Sequence, residues 1–175
     1  GGTSIATGNS FTTPSLVSTT TYYAEAVSNG STQFSGGRLT NPTAGGALAA
    51  SPRGVIFTTA NAVTITEVGF LCTGPAATVV VSLYNSTGTT QIGASETITV
   101  PVNGGTSGTP ILQTFSTNIN VPAAGTYRLF VTSVTPSSSQ LYYEFSGVTG
   151  YPYAVGPGVT IDASVTSLTG TQSLT

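Results

Sequence analysis

The sequence has no histidine and no lysine, a single cysteine, and only three cations, Arg38, Arg53 and Arg128, against five acids. Each shortage removes a class of function. Without histidine there is no Ser-His-Asp triad and no Cys-His pair. Zinc centres need clusters of cysteine and histidine, which this chain does not have. Without lysine there is neither a Schiff base nor a P-loop. Three scattered arginines cannot neutralise a phosphate backbone, so nucleic acid is excluded as a partner. No apolar run approaches the roughly 20 residues that carry a helix across a bilayer, so no membrane insertion is expected. Cys72 cannot form an internal disulfide, and its apolar setting, Val68-Gly69-Phe70-Leu71-Cys72, reads as that of a buried, inert thiol.

Charged residues make up 5% of the 175 residues, where about 25% is ordinary for a soluble domain. Low charge does not mean disorder here. The chain is 38% hydrophobic and crowded with Val, Ile, Thr, Tyr and Phe, the residue types that fit a pleated sheet. Solubility must come from Ser, Thr, Asn and Gly. Such a neutral surface suits life outside the cell, because little of its stability is Coulombic and salt changes it little.

No window repeats apolar residues at helical spacing. Period-two stretches recur instead, broken by Gly, Pro, Asn and Ser clusters. Strands are predicted over residues 20–27, 53–58, 62–72, 77–85, 89–100, 111–119, 126–134, 140–145 and 158–165. The alternation changes parity inside residues 62–72: Val63 and Ile65 share one face, then Val68, Phe70 and Cys72 continue on even numbers. A bulge near Thr66-Glu67 is expected. The cleanest strand places Val79, Val81 and Leu83 inward, and Asn85-Ser86-Thr87-Gly88 follows as a turn. Short strands at this spacing predict an all-β fold: an antiparallel two-sheet β-sandwich, jelly-roll or immunoglobulin-like, over residues 35–175. Residues 1–34 hold too little apolar mass to stand alone. They must pack on the larger domain, pair with a preceding segment, or complete another molecule's sheet by strand addition.

The stretch Gly8-Asn9-Ser10-Phe11-Thr12-Thr13-Pro14-Ser15-Leu16, followed by Thr20-Thr21-Tyr22-Tyr23-Ala24-Glu25-Ala26, resembles the second half of an immunoglobulin-like module. Modules of this kind occur in giant secreted cell-surface proteins of Bacteroidota, gliding-motility adhesins among them. Later stretches, Arg53-Gly54-Val55-Ile56-Phe57, Val79-Val80-Val81-Ser82-Leu83 and Val121-Pro122-Ala123-Ala124-Gly125-Thr126-Tyr127, are similar to the β-sandwich module that often follows. The resemblance implies a partial immunoglobulin-like segment over residues 1–34, export by a type IX secretion route, and display at the cell surface within a long multi-module polypeptide. It carries no catalytic residues. The first half of the immunoglobulin-like module and an aromatic closing strand are missing, so both ends are expected to be truncated.

No enzyme activity is expected. The five acids, Glu25, Glu67, Glu96, Glu144 and Asp162, are far apart in sequence and read as isolated solvated carboxylates, not as a glycosidase pair. No cofactor is expected; a structural calcium with Asp162 as its one acid is the weak candidate. For binding, Tyr142, Glu144, Tyr151 and Tyr153 form a candidate glycan platform, since flat tyrosine faces stack on sugar rings. The alternative is that these rings fill the core and close one end of the sandwich. Two sequons, at Asn29 and Asn85, are candidate glycosylation sites. Three functional readings follow: a structural or adhesive module of a surface fibre, partnered by neighbouring modules; a carbohydrate-binding module partnered by surface polysaccharides; and a filament subunit assembled by strand addition.

Overall fold

The computed structural model describes residues 12–23, 32–37, 46–49, 53–102, 111–144 and 151–170. The chain divides into two compact units, Gly1–Gln33 and Phe34–Thr175. Within the second unit the strands are, in chain order, β1 (Gly46–Ala49), β2 (Arg53–Thr59), β3 (Val63–Phe70), β4 (Cys72–Thr73), β5 (Ala77–Asn85), β6 (Gln91–Val100), β7 (Ile111–Val121), β8 (Gly125–Thr135), β9 (Gln140–Glu144), β10 (Tyr153–Gly156) and β11 (Val159–Val165). Among the described residues there is no helix.

β5 carries the longest inward-facing row of apolar residues. Ala77, Val79, Val81 and Leu83 are all buried, while Thr78 between them is exposed. A strand sends successive side chains to opposite faces, so this spacing drives one face of β5 into the interior. β5 pairs with β6 on one side and β8 on the other. The sheet extends to six antiparallel strands in the order β10-β11-β2-β8-β5-β6. The second layer consists of β3 paired with β7, and of β9 paired with both β1 and β4. Only Leu71 separates β3 from β4, and its carbonyl accepts a hydrogen bond from the Tyr142 amide at 3.0 Å. The layer therefore reads β7, then β3 continued by β4, then β9 and β1.

One hydrophobic cluster joins the layers. It takes Phe57, Val79, Val81, Leu83, Ile98 and Val131 from the large sheet, and Cys72, Phe115, Ile119, Val121 and Leu141 from the other. The expected antiparallel β-sandwich is what the chain forms. At the β7–β8 corner the Tyr127 hydroxyl donates to the Ala123 carbonyl at 3.1 Å, four residues upstream. This is the tyrosine corner of immunoglobulin-type sandwiches. The Tyr127 ring stacks on Phe57 with centroids 5.9 Å apart.

The expected bulge is present: Ile65 pairs with Ile119 and Glu67 with Thr114, so Thr66 alone faces residues 115–118 of β7. The extra residues sit in the partner strand; the inward side of β3 switches from odd to even numbers, while Phe115, Ile119 and Val121 of β7 keep one parity. One expectation needs correction. Strand structure over residues 20–27 is not found at Thr20 to Tyr23, where Tyr22 and Tyr23 are both exposed, while residues 24–27 lie outside the described ones. A strand needs a ladder partner, and none of the described residues of the first unit is in a strand. Ile111 has the same parity as Phe115 but is 37% exposed, because the buried run of β7 begins at Phe115. Strands β1 and β10 were not legible: β1 is Gly-Ala-Leu-Ala, without β-branched residues, and β10 follows Pro152 and ends at Gly156.

β8 departs from simple alternation. Tyr127 and Val131 face the core, but Arg128 and Phe130 on the opposite face are also buried. The ring of Phe130 occupies the space a side chain on Gly54 would need, so glycine is required there. Elsewhere on that outer face the sheet shows hydroxyls: Thr78 pairs with Thr99 and with Thr135, and all three are exposed. These two classes of position predict opposite outcomes. Leu83→Ala should destabilise the fold by about 2–5 kcal/mol, and Thr99→Ala by no more than about 0.5 kcal/mol, as read from urea unfolding midpoints.

Candidate functional site

The aromatic candidates do not form one flat platform. Tyr151 and Tyr153, either side of Pro152, bring their rings together with centroids 4.6 Å apart and planes at 55°. Both are half-buried. Tyr142 lies on β9 in the other layer; it is also half-buried and its hydroxyl is enclosed. Glu144 ends β9, where its backbone pairs with Gly46; its side chain lies outside the described part. A tilted pair presents a ring edge as well as a face, a narrower surface than two coplanar rings.

Asp162 sits at the register shift of β11, between Ile161 paired with Phe57 and Ala163 paired with Ile56. Its two carboxylate oxygens accept from Thr58 Oγ1 at 2.6 Å and Thr160 Oγ1 at 2.9 Å. Thr58 is 3.0 Å from Thr126 Oγ1, so a row of hydroxyls crosses three strands. Among the described residues no group of three or more Cys, Asp or Glu gathers as a metal site would need. Asp162 and Glu96 do not make a glycosidase pair. Asp162 on β11 and Glu96 on β6 are separated by four strand spacings, about 19 Å, well beyond the ~5–9.5 Å such chemistry requires.

Glu96 corrects the reading of solvated acids. It is 3% exposed. Its carboxylate accepts from the Ser116 amide at 2.9 Å, from Ser116 Oγ at 2.8 Å, from the Thr117 amide at 3.4 Å and from the Thr117 hydroxyl. Ser116 and Thr117 lie in the part of β7 that the bulge releases from the β3 ladder, so their amides are free to turn toward β6. The Thr117 and Ser116 hydroxyls, aided by their amides and opposed by burial, hold the Glu96 carboxyl below the usual carboxylate range. The carboxylate thus ties edge strand β6 to β7. Glu67 is exposed and accepts from Thr114 Oγ1 at 3.3 Å. Glu25 lies outside the described residues.

Arg128 is the second buried charge, at 6% exposure. Nε donates to Ser86 O at 2.8 Å, and Nη1 to Leu168 O at 2.8 Å and Gly170 O at 2.6 Å. Sequence reading passed over it. A signal was present: Tyr127-Arg128-Leu129-Phe130-Val131 is nearly continuous in apolar residues, as in a strand covered on both faces.

Of the two sequons, Asn29 lies outside the described residues. Asn85 is the hub of the β5–β6 turn. Its Oδ1 accepts from the Thr89 amide at 3.0 Å, the Thr90 amide at 3.2 Å and Thr87 Oγ1 at 3.1 Å. Its Nδ2, the atom a glycan would occupy, donates to Thr89 Oγ1 at 3.3 Å. Cys72 is fully buried, as expected, and burial pushes its thiol pKa up, partly offset by the Gln140 amide.

Residues 1–38 match the family model described as Ig-like domain CHU_C associated. No curated protein matches the chain, and no solved structure does. The match supports an immunoglobulin-like module at the start of the chain and covers little of the sandwich.

Two measurements follow from these contacts. A carboxylate whose folded pKa is depressed stabilises fully above its unfolded value, about 4.3 for Glu, and the contribution disappears as pH falls through the lower folded value. Urea midpoints of the wild type should therefore fall with pH below about 4, and Glu96→Gln should flatten that dependence. Asn85→Ala should cost about 1–3 kcal/mol at neutral pH, with the loss centred on the β5–β6 turn in amide exchange.

Proposed function

We propose that the chain is a non-catalytic structural and adhesive module of a secreted, multi-module bacterial cell-surface protein or fibre, of the gliding-adhesin kind. The observation that carries this reading is the succession itself. A segment matching an Ig-like module leads directly into a self-contained sandwich whose groups are committed to holding the fold. The buried charges Glu96 and Arg128 are bound to hydroxyls, amides and carbonyls of the chain, so neither is poised to move a proton. The outer sheet face carries exposed threonines such as Thr78, Thr99 and Thr135 and few charges, which suits a surface that meets varied salt and many neighbours. Neighbouring modules of the same polypeptide are its first partners, and the cell surface its location.

Antibody raised against the folded chain tests this. It should decorate intact cells of the source organism and detect, in surface extracts, a band far heavier than 17.5 kDa. Confinement of the antigen to the cell interior, or a band of fragment size alone, overturns the reading. A glycan array run on the same protein separates the carbohydrate-binding alternative: sugar binding that Tyr151→Ala abolishes would move the function to the Tyr151–Tyr153 pair.

A further inference from the structure

After β11 the chain does not run straight off the sheet. Residues 166–170 turn back across its outer face. The Thr166 carbonyl accepts from Arg53 Nη1 of β2 at 3.5 Å. The Leu168 and Gly170 carbonyls both accept from Arg128 Nη1 of β8. Arg128 Nε holds the Ser86 carbonyl at the same time, so one guanidinium joins this segment to the β5–β6 turn. Gly88, in that turn at φ +74°, has the Leu168 carbonyl lying where its Cβ would be. A second, local bond from the Gly170 amide to Ser167 O at 3.3 Å folds the segment on itself. A chain with only three cations places two of them on these five residues.

We propose that residues 166–170 form a tension latch. Without it, a pull on the chain beyond β11 would act on the Val165–Gly54 end of the β11–β2 ladder and open that ladder one pair at a time. With the strap in place, the pull first meets charge-assisted bonds to Arg128, which load together and pass into β8, a strand bonded on both sides within the sheet. The planar fork of arginine suits this, because it fixes several acceptors in one geometry. The acceptors are backbone carbonyls, so no side chain of the strap needs to be conserved in type for the latch to close. Arg128 projects from the face opposite the core, so the strap can release while the core cluster stays packed.

The latch deepens the stalk reading and rests on it for its purpose. It is tested by pulling the whole 175-residue chain between its ends in an optical trap. In Arg128→Ala, an early extension step of up to about 17 Å, the length of five extended residues, should appear at a lower force than any such step in the wild type. Glu96→Gln, which weakens the sandwich elsewhere, should leave that step where the wild type has it. A step force equal in Arg128→Ala and wild type overturns the latch, and so does an equal shift in Glu96→Gln. Should Arg128→Ala not fold, Arg128→Lys keeps the charge and loses the fork. Amides of residues 166–170 should then exchange at least tenfold faster than in the wild type while those of β3 and β7 do not change; unchanged exchange in the strap overturns the proposal. A parent protein that bears no load would sink the stalk reading and leave these records as they are.

Discussion

A buried charge in this chain has to be satisfied by neutral groups, and much of the structure arranges itself around that constraint. An isolated ion costs far more to desolvate than a hydroxyl, and it stays inside only where hydrogen bonds replace its water. Glu96 obtains them from Ser116 and Thr117, and Arg128 from Ser86, Leu168 and Gly170. Each solution has a structural requirement. For Glu96 it is the bulge that frees two amides of β7 from the ladder. For Arg128 it is a terminal segment folded over the sheet and a glycine at position 88 that lets a carbonyl come close. The two ions thereby fasten the places where a sandwich is weakest, an edge strand and a chain exit.

The fold was legible wherever one face of a strand met the core and the other met water. Val79, Val81 and Leu83 state their burial directly in the spacing, and the change of parity near Thr66 foretold a bulge. Two kinds of element were not legible. β1 is a short edge piece whose partner, β9, lies far along the chain, and β10 is a short edge strand in a tight hairpin with β11; four residues are too few to carry a period. β8 is covered on both faces, so its pattern is a run and not an alternation. The polar contacts were least legible. Glu96 shares the inward parity of Ile98 and Val100, but nothing local names its partners, which lie about twenty residues away in a strand it does not pair with.

The same economy accounts for the candidate sites. Asn85 has the sequence of a glycan acceptor, but its amide is occupied in holding the turn. Asp162 has the chemistry of a cation ligand, yet its two oxygens each already hold a threonine hydroxyl. Tyr151 and Tyr153 have the chemistry of a sugar platform, and their rings lie against each other. In each case a group that sequence presents as available is engaged by a neighbour. With few charges to draw on, the chain uses these polar side chains to hold its own fold.

Cys72 carries a consequence of a different sort. It is the one thiol, it is sealed between the layers, and burial keeps it protonated. In oxidising surroundings, oxidants are plentiful and disulfides persist. A molecule that stays folded offers them nothing, while one that opens exposes a single sulfur with no partner in its own chain. Two opened molecules can join through it, and the covalent bond prevents both from repacking the core around a bare thiol. In such surroundings an intact copy keeps its thiol out of reach, whereas an opened copy presents a sulfur that can pair only with another chain.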